Sequence, residues 1–370
     1  MITSFSSKTL VTVLRVLSPR VLSCGLVLIG FFRISKISLL ILMSFSFSSC
    51  YSMSQFQKQA KLYMSKVPIT EVVADPKVKF ETKQKLHTVS EAIRFAEAYG
   101  IYAKGSYQHF IFMDQPVVSY LVYAGYEDKF ALKKHWFPIV GSVPYLGFFD
   151  KADRDAKQQS FETKGYNTFK TGATAFSLLG WLDDPVYESM LKRKHLALAH
   201  LIFHELTHRN YWKSGDVKFN ENLAEYVADY LVVRYAKWRG MDQEYQDYVT
   251  KNEDRKKLKA WLKSLRKDMR RYYKRNEFQL TDEKRRQVVL KQFNDGRFPA
   301  FSDQKYQRLK KIRWNNARIL ASSIYLRDFE KISKAHQCVG GNHLGYFLDR
   351  LKEKTDYHRS DEAINILSDC

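Results

Sequence analysis

Two histidines and a glutamate in this chain have the spacing that hydrolytic metal chemistry needs. His204 and His208 are four residues apart, and Glu205 directly follows the first. On an α-helix that spacing stacks both imidazoles on one face, about a turn apart. Two neutral imidazoles so placed can share one tetrahedral Zn2+. Glu205 projects to the side of the pair, where it can reach a water on the ion without ligating it. The carrying segment, Lys194 to His208, is apolar on nearly every side, so its helix is predicted to be central and buried. The bland alternative is a pair of core histidines satisfied by backbone groups. With ten histidines in the chain, a chance His-Glu-x-x-His has odds on the order of one in a hundred.

A tetrahedral site needs a third protein ligand, and one follows soon after. Gly215 and Asp216 permit a turn, and a second helix opens around Phe219-Asn220-Glu221. A tight antiparallel pair of helices would bring Glu221 to the ion. Glu225, one turn on, is placed to accept the free N–H of a ligating histidine, or else is a surface carboxylate. Asp229 continues that face and is predicted to be solvated. His200, a turn before His204, is read as a core or supporting histidine, since three ligands and water already fill a tetrahedron.

The elements that must position these groups are mostly helical. Residues 51–64 and 88–99 read as helices, as does Asp150 to Lys164, and the pattern is helical from Tyr187 almost to the end. Val117 to Ala124 is β-branched and aromatic, hence strand-like, and Thr168 to Leu178 reads as a short strand. Between them, Phe137 to Gly147 is a Pro/Gly-rich loop whose glycines call for positive φ. The expected fold class is α+β, predominantly helical, with a small sheet. No linker or internal repeat divides residues 50–370, which are read as one domain.

Charge and the N-terminus bound the setting. The formal charge is +22, of which residues 1–50 carry five basic side chains and no acidic one. Lys251 to Gln292 holds 16 Lys/Arg against 6 Asp/Glu, and is predicted to form a basic helical hairpin projecting from the domain. It could touch an anionic surface, or it is a solvated face. No stacking motif or nucleic-acid fold signature accompanies it, so no specific nucleic-acid partner is predicted. Arg33 and Lys36 precede the apolar run Ile37 to Met43 and the small-residue stretch Ser44 to Ser49. Basic, apolar, small is the order of a secretory leader, here residues 1–49. Cys50 ends it as the lipidated cysteine of a bacterial lipoprotein would, with Phe47 where that motif usually has Leu, Val or Ile. A second apolar run, Val21 to Phe32, makes either a double leader or a start codon downstream of Met1, and the latter is expected. A bacterial cell-envelope location follows, with the domain outside the cytoplasm and a lipid anchor in the membrane. Cys338 and Cys370 could pair there or remain free thiols.

His204-Glu205-x-x-His208 followed by Asn220-Glu221 resembles the ligand pattern of the gluzincin metallopeptidases, the thermolysin-like class. Residues 50–350 look more closely like the bacterial putative aminopeptidase family of envelope lipoproteins. The resemblance is carried by Trp136-Phe137-Pro138-Ile139-Val140-Gly141-x-Val143-Pro144-Tyr145-x-Gly147-Phe148-Phe149 and by Ala175-Phe176-Ser177-x-Leu179-Gly180-Trp181-x-Asp183-Asp184-Pro185. Gly215-Asp216-x-x-Phe219-Asn220-Glu221, Asn315-Asn316-Ala317 and Tyr325 extend it. Thr207 and Arg209 stand where the family often has Ala and Gln, at positions that are not ligands. The resemblance implies a zincin-like fold and one Zn2+ on His204, His208 and Glu221, with Asn220 and Glu225 in support.

The implied chemistry is amide hydrolysis of short peptides, with Glu205 as general base. Tyr325 is the candidate oxyanion donor, with Tyr226 and Tyr230 as rivals. The segment Gly172–Leu178 could pair with substrate backbone as an added strand. The aminopeptidase label further implies a carboxylate for the substrate ammonium; Asp183, Asp184 and Glu225 are nearest in sequence. Two alternatives stay open: an envelope protein that binds peptide without cleaving it, and an endopeptidase.

Overall fold

A computed structural model describes residues 55, 57–137, 141–175, 183–275, 282–324, 329–341 and 343–370. The leader and Cys50 lie outside the described residues, as do Tyr325 and residues 176–178. The architecture is α+β and mostly helical. Its helices of seven residues or more, after residues 57–64 and Ile69–Ala74, are α1 (Phe80–Glu97), α2 (Lys151–Thr163), α3 (His195–Asn210), α4 (Val217–Arg239), α5 (Asp242–Arg275), α6 (Asp282–Asn294), α7 (Asn316–Ser322), α8 (Glu330–Val339), α9 (Leu344–Tyr357) and α10 (Ser360–Leu367). Among the described residues none is long and apolar enough to cross a membrane.

Helix α3 is the centre of the largest core. Leu196, Leu198, Ala199, Ile202, Phe203 and Leu206 fill one half of the helix and are essentially inaccessible to solvent, while His200, His204 and His208 on the other half are buried too. An apolar half that wide is stable only when neighbouring elements cover it. Helix α1 covers one side, with Leu86, Val89, Ala92 and Ala96 buried, and Phe95 lies 6.1 Å from the ring of Phe203. Helix α4 covers another. Asp216 caps its start by accepting from Phe219 N–H at 3.2 Å. Gly240 ends it in the left-handed conformation, φ +63°.

Among the described residues the strands form three small sheets. β1 (Val67–Pro68) pairs antiparallel with β2 (His109–Ile111), which runs parallel to β8 (Val186–Tyr187). β3 (Ser119–Gly125) lies between β6 (Leu146–Phe148) and β7 (Asn167–Ala173), both antiparallel to it. β4 (His135–Phe137) and β5 (Gly141–Val143) make a hairpin. Gly141 sits at φ +74°, and a Cβ there would come within 2.6 Å of Ser214 Oγ and 2.7 Å of the Gly215 nitrogen. The hairpin therefore lies directly against the turn between α3 and α4.

The basic segment differs from its sequence-based outline. Its first helix begins at Asp242, and both helices bury an apolar side. Trp261, Leu265, Met269 and Tyr273, each four residues from the next, pack with Phe298, Phe301 and Trp314 in a second core. Arg285 donates to Tyr273 Oη at 3.0 Å and to the Glu127 carbonyl at 3.2 Å, which ties the pair to the turn after β3. A count of charges could not show this, because one apolar residue per turn suffices for a buried stripe. Near the C-terminus Cys338 and Cys370 are joined by a disulfide, Cα–Cα 5.8 Å.

Candidate metal centre

The histidines of α3 and the carboxylates of α4 form a ladder. His208 faces Glu221, His204 faces Glu221 and Glu225, and His200 faces Glu225 and Asp229. Each step of four residues down one helix matches a step of four up the other, which is the signature of antiparallel packing. Asn220 makes the tight turn possible. Its side chain accepts from Lys213 N–H at 2.9 Å and donates to the Lys213 carbonyl at 2.8 Å.

Three donor groups converge at the end of the ladder nearest that turn. His204 Nε2 and His208 Nε2 are 3.1 Å apart. Glu221 places Oε2 3.3 Å from the first and Oε1 3.6 Å from the second. Ligands on a tetrahedral zinc with bonds of about 2.0–2.2 Å lie about 3.3–3.6 Å from one another; the two glutamate separations fall in that range and the histidine pair is about 0.2 Å closer, so these residues fit such an ion with a small adjustment. All three are more than nine-tenths buried, as is Glu205.

Without an ion, the electrostatics are those of packed opposite charges. Burial alone would depress His204, but the Glu221 carboxylate outweighs it and raises the imidazole to about 9. His208, dominated by burial, falls to about 4. Glu221 is pulled down by His208 and His204 despite its burial. For Glu205 burial outweighs the charge of His204 and raises the carboxyl to about 7. A carboxyl near neutrality is poised to accept and return a proton.

The outer partners follow from the same ladder. Glu225 Oε1 is 3.9 Å from the His204 Nδ1 that faces away from the convergence. Asp229 corrects the sequence reading. Its Oδ1 accepts from His200 Nε2 at 2.9 Å and from the Tyr248 hydroxyl, so it is engaged rather than solvated. His200, Glu225 and Asp229 also lie within ligand distance of one another, but here the imidazole–carboxylate hydrogen bond occupies the shared space.

The four residues open onto a cleft of about 610 Å3, which Tyr145, Arg193, Glu225 and the Gly172–Ala175 segment also line. Neither rival oxyanion donor lies in it. The Tyr226 hydroxyl bonds His336 at 2.9 Å, and Arg234 lies over the ring of Tyr230. Asp183 binds Arg209 at 2.8 Å, and neither it nor the buried Asp184 lines the cleft. Of the three carboxylates considered for a substrate ammonium, Glu225 alone does.

A family model described as "Putative aminopeptidase" matches residues 50–363. The chain belongs to that family. Comparison with curated proteins and with solved structures returned no match. For a putative aminopeptidase the cleft holds one group that residue spacing did not single out. Tyr145 has no hydrogen-bond partner among the described residues, and burial, with Glu221 and Glu205 adding to it, raises its hydroxyl well above the usual range. It stays protonated and can donate. The Pro/Gly-rich motif around it was the only signal in the sequence, because the tyrosine is far along the chain from the ligands it faces.

Asn220→Ala is expected to strip two backbone partners from the turn and loosen Glu221. Loss of stability of about 1–3 kcal/mol and metal affinity lowered about 10–100-fold should appear in thermal melts and metal titration. Wild-type affinity in this variant would show that the turn is held by other contacts.

Proposed function

We propose that the chain is a zinc-dependent peptidase with a zincin-like fold, acting on short peptides in the bacterial cell envelope. The observation that carries this is the convergence of His204, His208 and Glu221 at tetrahedral ligand separations, with Glu205 buried beside them. Family membership supports the peptidase class. The alignment of ligand positions with the thermolysin-like pattern supports the gluzincin type.

Zinc held by the three residues would supply Lewis acidity toward a substrate carbonyl and toward water. Glu205 takes the proton of the attacking water and delivers it to the leaving nitrogen as the amide bond breaks. Glu225 orients His204 through its Nδ1 side. Tyr145 donates to the developing oxyanion; Tyr325, the donor expected from the sequence, lies outside the described residues. Among the described residues strand β7 pairs with β3 alone, and its Gly172 and Ala173 line the cleft. Its free edge can receive substrate backbone as an added strand. Glu225 is the carboxylate placed to meet a substrate N-terminus, which fits the aminopeptidase assignment.

Turnover of short peptides by the zinc-loaded protein, followed by mass, tests the reading. Loss of N-terminal residues from free but not acetylated peptides is expected. Equal internal cleavage of both would make the enzyme an endopeptidase with the same metal chemistry.

The envelope setting rests on the leader pattern and Cys50. The Cys338–Cys370 disulfide suits an oxidising compartment. Cys50→Ser should abolish lipid labelling and move the protein from the membrane to the soluble fraction. A wild type that takes up no lipid label and a variant that stays membrane-bound would point to an uncleaved anchor instead.

A further inference from the structure

The cleft carries a wall of cations that the hydrolytic chemistry does not use. Arg193, Lys251 and Arg255 all line it together with the metal ligands and Glu205. They come from two directions. Arg193 lies just before α3, held by Nη2 donating to Thr174 Oγ1 at 2.7 Å. Lys251 and Arg255 are four residues apart on α5, so they share a face. Tyr248, on that same face, bonds Asp229 and fixes the helix against the histidine ladder.

None of the three has a carboxylate within 4 Å among the described residues, although ion pairs are common elsewhere in the molecule. Arg193 is moreover half-buried, and its Nε–H is buried with no acceptor. Burial, with Arg255 next in effect, lowers its guanidinium. Glu225 favours the charged form of both arginines from a distance, but the buried Arg193 Nε–H is left for an anion to accept. Among the described residues none of the acidic groups of the cleft forms an ion pair with these cations. Glu221 points at the metal position, Glu225 lies between His200 and His204, and Glu205 is the base. With a divalent ion in place the cleft is net positive, which favours an anionic guest.

We propose that Arg193, Lys251 and Arg255 form a carboxylate clamp, so that the preferred substrates are short peptides bearing a carboxylate that reaches this wall. The carboxylate can be the C-terminus of a peptide of a few residues or an acidic side chain. The proposal rests on the peptidase reading for the substrate being a peptide. It also assigns the start of the basic segment to substrate recognition within the cleft rather than to an outer anionic surface.

The test uses the zinc-loaded full chain and matched tripeptides: free against amidated C-terminus, and Glu against Gln in the side chain. In the wild type, removing the recognised carboxylate should lower kcat/KM about ten- to a hundredfold, mostly through KM, and added salt should shrink the difference. Whichever substitution has the effect identifies the source of the carboxylate. In Arg193→Gln and Arg255→Gln the ratio should fall towards one. Arg255 is solvent-exposed, so its variant remains informative if Arg193→Gln does not fold. Equal kcat/KM for all four peptides in the wild type, or an unchanged ratio in both variants, overturns the clamp. If nothing is cleaved, calorimetry of the same peptides decides separately. Carboxylate-selective binding lost in the variants keeps the clamp and removes the peptidase reading, whereas unselective or absent binding removes the clamp.

Discussion

Glu205→Gln is expected to keep the fold and the bound zinc while lowering peptide hydrolysis about 10^2–10^4-fold, the usual worth of a positioned general base. The amide is close in size to the carboxylate but cannot accept the water's proton. Glu205 is not one of the three converging donors, so the metal content should stay at wild-type level. The substitution should also be mild for the fold. Glu205 is buried, and burial disfavours its charged form, so a neutral amide removes a cost rather than a contact. The measurement is kcat/KM on one short peptide, beside metal analysis and a thermal melt of the same preparation. Retained turnover in a metal-loaded variant would mean that another group is the base. His200, which also lines the cleft and is oriented by Asp229, would be the first such group to test.

Removing a ligand should have an effect of a different kind. His204→Ala, His208→Ala and Glu221→Ala are each expected to abolish stoichiometric zinc, against about one ion per chain in the wild type. The loss of affinity should exceed the about 10–100-fold associated with an outer partner such as Asn220. His204→Ala should be the most disruptive, because that imidazole faces both Glu221 and Glu225. Its removal leaves two carboxylates of a buried ladder with one fewer partner. Zinc should raise the melting temperature of the wild type and not that of the three variants, since only the folded wild type binds it tightly. Metal analysis after gentle purification, followed by reloading, checks this. A wild type that holds no zinc and cannot be reloaded would refute the metal assignment for all three residues at once.

The sequence by itself determined what depends on local spacing. A helix repeats every 3.6 residues, so His200, His204 and His208 had to share a face, as did Glu221, Glu225 and Asp229. A short turn with Gly215 and Asp216 left those two faces little choice but to meet. The convergence of the three donors was legible for that reason, as was the burial of α3, whose apolar residues fall on nearly every side. The boundaries of α1 and β7 were less so, because helix and strand ends are set by neighbours. Only the tertiary structure decided which distant residues complete the cleft. Tyr145 reaches it on the strength of a hairpin packed against the α3–α4 turn, and Arg255 through a helix whose apolar stripe was hidden among its charges. Asp229, read as solvated from its helix alone, is engaged because α5 brings Tyr248 onto it. Cys338 and Cys370, 32 residues apart, meet for the same reason. Periodicity specifies one element at a time, whereas these contacts depend on how whole elements pack, and no spacing along the chain encodes that distance.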